Sequence, residues 1–136
     1  MPQLLRSHLR ILTSNFPDCF RFYRQVLQLS LRLSDENLSY AEFISDALHV
    51  ALFDRQAMAE VLGRSHLPVH QEVQDKGIVV LRVENVDRTY ALLKHRGVTF
   101  ITSPQDRPAW GCRTAHFSDP AGTILELNAD VDKEGV

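Results

Sequence analysis

What constrains this chain most is that its pattern of elements starts again halfway along. Residues from about 4 to 63 read as strand, helix and three strands, and residues from about 77 to 128 repeat that βαβββ order. A constant offset of 70 sets His8 on Ile78, Asn15 on Asn85 and Phe16 on Val86. Towards the end of each repeat an offset of 74 sets Leu52 on Glu126 and Asp54 on Asn128. Each copy can bury one sheet face under its helix and leave the other to line a shared groove. The expected fold is α+β, one domain over residues 1–136. In it, two βαβββ repeats form an open, cupped mixed sheet with helices on the convex side. A groove of that kind suits a small ligand.

Local signals mark the elements. Apolar and polar residues alternate over Leu5–Leu12, with Leu5, Leu9 and Ile11 on one face and Arg6, His8 and Arg10 on the other. Ser14 and Asn15 offer helix-capping side chains, and Asp18 suits the first turn. Cys19, Phe22, Tyr23, Val26 and Leu27 then recur at helical spacing. Short runs over Leu29–Leu33, Leu38–Ile44 and Leu48–Phe53 predict an antiparallel meander. Asp54 predicts the cap of a short helix over Arg55–Leu62, closed by Gly63. Residues 64–76 contain Pro68, show no period and read as a linker. In the second repeat Ile78–Glu84 is a strand and Asn85 a cap, and Val86, Tyr90 and Leu93 form a helical stripe ending at Gly97. Val98–Thr102, Cys112–Ser118 and Thr123–Asn128 follow as strands. Residues 103–110, with Pro104 and Pro108, read as a loop, and Asp119-Pro120-Ala121-Gly122 as a type I turn. The last eight residues read as a frayed tail.

Composition excludes several classes. A chain of 136 residues, 44% hydrophobic and 24% charged, can bury its own core. A net charge of −2, with no Lys/Arg cluster longer than a pair, argues against nucleic acid. The apolar runs are too short for a membrane span, and MPQLLRSHLRIL lacks the long apolar stretch of a signal peptide. Cys19 and Cys112 show no CxxC spacing and read as thiols, not as a bridge. The expectation is a cytoplasmic protein with neither nucleic-acid nor membrane partners.

Three stretches carry a family resemblance: HLRI over 8–11 followed by Asn15, Phe22-Tyr23 and Leu27; VENVD over 83–87; and FSDPAGTILEL over 117–127. On these the chain resembles the vicinal-oxygen-chelate family of glyoxalase I, extradiol dioxygenases, fosfomycin-resistance transferases and bleomycin-resistance proteins. The most specific piece is the DPxG turn that runs into a strand with an embedded Glu. In the family's metal-dependent members a divalent ion is held from four positions, on the first and last strand of each repeat. The resemblance carries these to His8, Leu52, Ile78 and Glu126. An imidazole and a carboxylate can donate, whereas Leu52 and Ile78 cannot. Useful sites need about three protein ligands. The resemblance therefore implies at most a partial metal site, His8 and Glu126, and no certain cofactor. It also implies a homodimer, since family members close the open sheet by pairing units, with the His8 strand near the interface.

His8 shares a face with Arg6 and Arg10, so it is either a groove contact or an idle exposed imidazole. Glu126 alternates with Leu125 and Leu127 and points away from the helix, as a groove carboxylate and candidate general base. Thr114 and His116 share a strand face. Likeness to fosfomycin-type relatives makes His116 a candidate substrate contact, against a merely satisfied polar residue. His8, His116 and Glu126 as a displaced three-ligand metal set is a further reading. Trp110 reads as a lid or dimer contact, and Arg107 as an anion partner or solvated charge. By the parity that places Leu52 in the groove, His49 falls on the helix side as a structural residue. His66, His70 and His95 read as exposed, and Cys112 has nothing nearby to make it a nucleophile. The ligand-binding set is thus His8, Arg10, Leu52, Ile78, Trp110, Thr114, His116 and Glu126. Three functions are compatible with it. One is a metal-independent binder of the bleomycin-resistance type, taking a planar or cationic small molecule. Another is a divalent-metal lyase or isomerase of the glyoxalase type using Glu126. The third is an interaction module without small-molecule activity. Apolar Leu52 and Ile78 favour the binder.

Overall fold

Both repeats fold as βαβββ units in a computed structural model that describes residues 3–5, 7–67 and 77–131. The chain divides into two units, residues 1–71 and 72–136. The first contains β1 (Leu9–Thr13), α1 (Phe16–Arg21) continued by a π-helical turn (Phe22–Val26), β2 (Ser30–Asp35), β3 (Tyr40–Ile44), β4 (His49–Asp54) and α2 (Arg55–Val61). The second contains β5 (Ile78–Arg82), α3 (Val86–His95), β6 (Phe100–Arg107), β7 (Cys112–Ser118) and β8 (Ile124–Asp130). Strand orders correspond, β1-β4-β3-β2 and β5-β8-β7-β6. In each sheet the first and last strands pair in parallel, and the other neighbours form an antiparallel meander. The architecture is α+β, with two mixed four-stranded sheets.

One face of each sheet is buried by its helix. In the first unit Phe20 and Tyr23 place their rings 5.6 and 6.1 Å from that of Phe43. Phe43 pairs with Val50 and Ala41 with Leu52, so these four share the helix-side face, and all are buried. In the second unit Tyr90 of α3 packs 4.4 Å from Phe100, which lies 5.1 Å from Phe117. Phe117 pairs with Leu125, again on the helix side, beside buried Ala115 and Leu127. Fully burying each large apolar side chain stabilises the fold by about 1.5–3 kcal/mol. Cys19 and Cys112 are buried thiols, one in each unit.

Local chemistry explains where the elements begin and end. Asp54 and Asn85 cap α2 and α3 by accepting from the backbone N–H of Ala57 and Arg88. Asn15, expected to cap α1, instead donates its amide to the Asp18 carboxylate, which serves the side chains and leaves the helix end to the backbone. β1 starts at Leu9 and not at Leu5, because its partner β4 begins only at His49. Arg6 lies outside the described residues. The loop expected over 103–110 is largely strand, because β6 is an edge strand where the missing N–H of Pro104 can be tolerated. Register shifts around Thr102 accommodate the irregularity. The turn at 119–122 forms as expected: Gly122 N–H donates to the Asp119 carbonyl at 3.0 Å. The Asp119 side chain accepts from Ala121 and Thr123, and Gly122 takes a φ of +92° that favours glycine. β8 then continues to Asp130, two residues beyond expectation. The linker residues 68–76, with Pro68 and His70, and tail residues 132–136 lie outside the described residues. Among the described residues, no helix is long and apolar enough to cross a membrane.

Candidate functional site

The sheet faces turned away from α1 and α3 carry the polar groups. Directly paired residues share a face. In the first unit this puts Arg10, Tyr40, Glu42, His49, Ala51 and Phe53 together, opposite Phe43 and Leu52. Glu42 is only 8% exposed, yet both of its oxygens are used. Tyr40 donates its hydroxyl to Oε2 at 2.6 Å and Arg32 donates Nη1 to Oε1 at 2.9 Å, while His49 Nε2 lies 3.2 Å from Oε1. The Tyr40 hydrogen bond, followed by His49 and the nearby Arg32 and His8, holds the Glu42 carboxyl below its ordinary value despite burial. Burial, followed by the bond to Glu42, pushes the Tyr40 phenol up. The His8 ring sits 4.9 Å from that of His49, and one ligand atom from each of His8, Glu42 and His49 falls within 4.8 Å of the others. Arg10 lies over the rings of Tyr40 and Phe53, at 5.4 and 5.7 Å. A hollow of about 630 Å³ lined by Ser7, His8, Leu9 and residues 44–49 opens beside the cluster.

The second unit builds a different arrangement on the corresponding face. Glu126 is 5% exposed. His116 Nε2 meets its Oε1 at 2.9 Å, and Asn128 donates to its Oε2 at 2.8 Å. The other His116 nitrogen, Nδ1, is 2.8 Å from the Thr102 hydroxyl, so both nitrogens have partners and the ring is oriented. Thr114 is fully buried on the same face and accepts from Arg107 Nε at 3.2 Å. The Arg107 guanidinium also lies 5.8 Å from the exposed Trp110 ring. Ile78 and Val80, on β5, remain 43% and 45% exposed beside this network. A larger hollow of about 810 Å³ in this unit is lined by Asp87 and Arg113, whose charges are spent on one another.

Of the residues expected to bind, His8 and Arg10 fall together in the first unit, while Ile78, Thr114, His116 and Glu126 share one face of the second. Trp110 follows β6 in a short 3-10 turn. Leu52 does not face this way: it is fully buried on the α1 side. His49, expected on the helix side, lies on the open face against Glu42. The physical reason is one residue of loop. Four residues, 45–48, join β3 to β4, whereas five, 119–123, join β7 to β8. Arg10 pairs with Ala51 and Val80 with Glu126, so the true offset on the last strand is 75 (126 − 51), not 74. A one-residue slip moves every side chain to the other face. Glu42, Tyr40 and Arg32 were missed. The signal was present, since Ala41-Glu42-Phe43 has the alternation that singled out Glu126 between two leucines.

The family's four metal positions do not fit an ion here. Leu52 lies under α1, Ala51 in its place has no lone pair, and neither has Ile78. That leaves Glu126 and His8, two donors where a useful site needs about three. His8 meets Glu42 and His49 in its own unit.

Comparison with known proteins agrees with this architecture. Residues 6–127 match the Glyoxalase/Bleomycin resistance protein/Dioxygenase superfamily. An uncharacterized protein, YraH of Bacillus subtilis (strain 168), is 33% identical over 119 residues, covering 88% of this chain and 93% of that protein. The crystal structure of a glyoxalase/bleomycin resistance protein/dioxygenase from Nocardioides aligns with a TM-score of 0.79 at 24% identity, over 100% of this chain and 88% of that one. Lactoylglutathione lyase from Agrobacterium tumefaciens aligns with a TM-score of 0.72 at 19% identity, over 95% and 96%. At these identities the solved structures speak to fold alone.

Proposed function

We propose that this chain, which belongs to the glyoxalase/bleomycin resistance protein/dioxygenase superfamily, binds a small organic molecule and needs no metal at the family's four positions. The observation that carries this reading is Glu126, a buried carboxylate on a helix-free face flanked by Ile78 and Val80, each more than two-fifths exposed. Apolar side chains left in water beside an oriented carboxylate suit a planar or cationic ligand. Covering them gains roughly 25 cal/mol per Å² of apolar area, and the charge fixes orientation. Thr114 and His116 complete the polar edge, with Trp110 a ring available for stacking. In the first unit His8 and Arg10, with Tyr40 and Phe53, offer a second aromatic and polar surface. The reading is a binder of the bleomycin-resistance type, which sequesters its ligand without converting it.

Assembly and location belong to the same reading. Leu4, Leu5 and Leu9 are exposed before and along the edge strand β1, apolar surface that a second copy would cover. The protein is therefore a homodimer with β1 near the interface, in the cytoplasm, where its buried thiols are at home. Light scattering that returns a monomer at tens of micromolar removes the dimer.

Equilibrium dialysis against planar aromatic cations, such as acridinium and phenanthridinium dyes, tests the binding. Glu126→Gln keeps shape but loses charge, and should weaken binding about five- to a hundredfold, the worth of a charge-assisted hydrogen bond. Ile78→Ala should weaken it through lost contact. Leu125→Ala, under α3, should lower the melting temperature with little effect on affinity. Unchanged affinity in both Glu126→Gln and Ile78→Ala overturns the reading.

A further inference from the structure

We infer that His8, Glu42 and His49 form a site for a first-row divalent transition-metal ion, built within the first unit and sharing only His8 with the family's four positions. Two imidazoles and one carboxylate are the donor set that such ions favour, and Zn²⁺ in particular is held by two His and one Glu with a fourth position open. Their ligand atoms lie within 4.8 Å of one another. An ion with bonds of about 2.0–2.1 Å holds tetrahedral ligands about 3.3 Å apart. His49 Nε2 and Glu42 Oε1 already stand at 3.2 Å. His8 supplies the remaining adjustment: it is exposed and precedes the first residue of β1, so its side chain can close without disturbing the sheet.

Three further observations favour an ion. Glu42 is buried and carries a counter-cation, the Arg32 guanidinium, on the oxygen that faces His49. A divalent ion would replace that charge with a stronger one. Arg32 can leave, because its side chain is 39% exposed on the edge strand β2. Tyr40 keeps the other oxygen and fixes the carboxylate, as outer partners of metal ligands do. The hollow lined by His8, His49 and Asp46 leaves a path from solvent to the site, with an acidic group on it. Arg10, another cation on this face, is engaged by Tyr40, Phe53 and Met58.

Cobalt(II) titration of the full chain tests the site, read by visible d–d absorption and by the melting temperature. Co²⁺ should saturate near one ion per chain with four- or five-coordinate intensity and raise the melting temperature by mass action. Zn²⁺ should displace it, whereas excess Mg²⁺ should not. His8→Ala, an exposed change that spares the core, and His49→Ala should each weaken binding by more than about tenfold, the loss seen even for outer partners. Arg32→Gln should strengthen it several-fold by removing the competing cation, an effect no unrelated surface site would show. The double variant His66→Ala/His95→Ala, remote in sequence and exposed, should leave the titration unchanged. Absence of d–d intensity at millimolar Co²⁺, or intensity that survives His8→Ala and His49→Ala, overturns the inference. So does Arg32→Gln weakening the binding.

Discussion

In the first unit a buried carboxylate, Glu42, is held by a guanidinium, a phenol and an imidazole; in the second, Glu126 is held by an amide and by an imidazole that Thr102 orients. Strand order, pairing and the helix on one face are the same for both. Glu42 sits in a charge-compensated cluster, and Arg32 is the part that can be exchanged. Glu126 takes no guanidinium directly, the nearest being Arg82 one step away through Asn128, and it stands next to apolar side chains still in water. A duplicated scaffold thus determines where polar groups can stand, and the neighbours decide their chemistry. We read the first cluster as a cation site and the second as the charged edge of an organic-ligand surface.

The comparison rests first on the face assignment. Leu52 and Leu125 are both fully buried under their helices, so Leu52→Ala and Leu125→Ala should each cost about 2–5 kcal/mol in urea denaturation. A Leu52→Ala loss below about 1 kcal/mol would return Leu52 to the open face and undo the β4 register argued above. A smaller effect should separate the two carboxylates. Glu42→Gln strips the charge from a group with an ionic partner and should cost about 1.5–3 kcal/mol, and Glu126→Gln about half as much. Equal losses would erase the distinction between the clusters.

The smallest expected effect concerns how each helix is tied to its sheet. Asp87, in the first turn of α3, takes two hydrogen bonds from Arg113 of β7 at 2.9 and 3.0 Å, and Arg113 also bridges to Asp106. Among the described residues the Asp18 carboxylate of α1 bonds only to Asn15 and Arg21, on its own segment. The Arg113 guanidinium holds the Asp87 carboxyl below its ordinary value. Its contribution is therefore full above the unfolded value near 3.9 and fades as the pH falls through the folded one. Asp87 is 60% exposed, so solvent screening keeps the contribution below about 1 kcal/mol. Urea midpoints should show wild type ahead of Asp87→Asn at pH 6, with the gap closing towards pH 3. A gap that persists at pH 3 would mean that the tie is not electrostatic.

Much of the fold was legible because its signals are local. The Asn85 cap, the Val86-Tyr90-Leu93 stripe and the Asp119–Gly122 turn each involve residues within a few positions of one another, where side-chain chemistry acts on its own backbone. Glu126 was legible for the same reason, flanked by two leucines on a strand that follows a recognisable turn. The failures lie where the partner is distant in sequence. Pro104 read as a loop because nothing local says that β6 is an edge; Asn15 is the local exception, since Asp18, three positions on, took its amide before the helix end did.

The amino-acid sequence by itself determined the repeated βαβββ order, the helix at 86–95, the DPxG turn and the membership that these stretches carry. Each depends on periodicity and turn chemistry, which a single strand of text records. Only the tertiary structure decided that His49 and not Leu52 stands on the open face, and that Glu42 joins His8 there. That choice depends on which residue of β4 lies opposite Arg10, a pairing across 41 positions (51 − 10). Loop length and core packing settle it together: Val50 and Leu52 must meet α1, and the four-residue hairpin leaves His49 and Ala51 no other side.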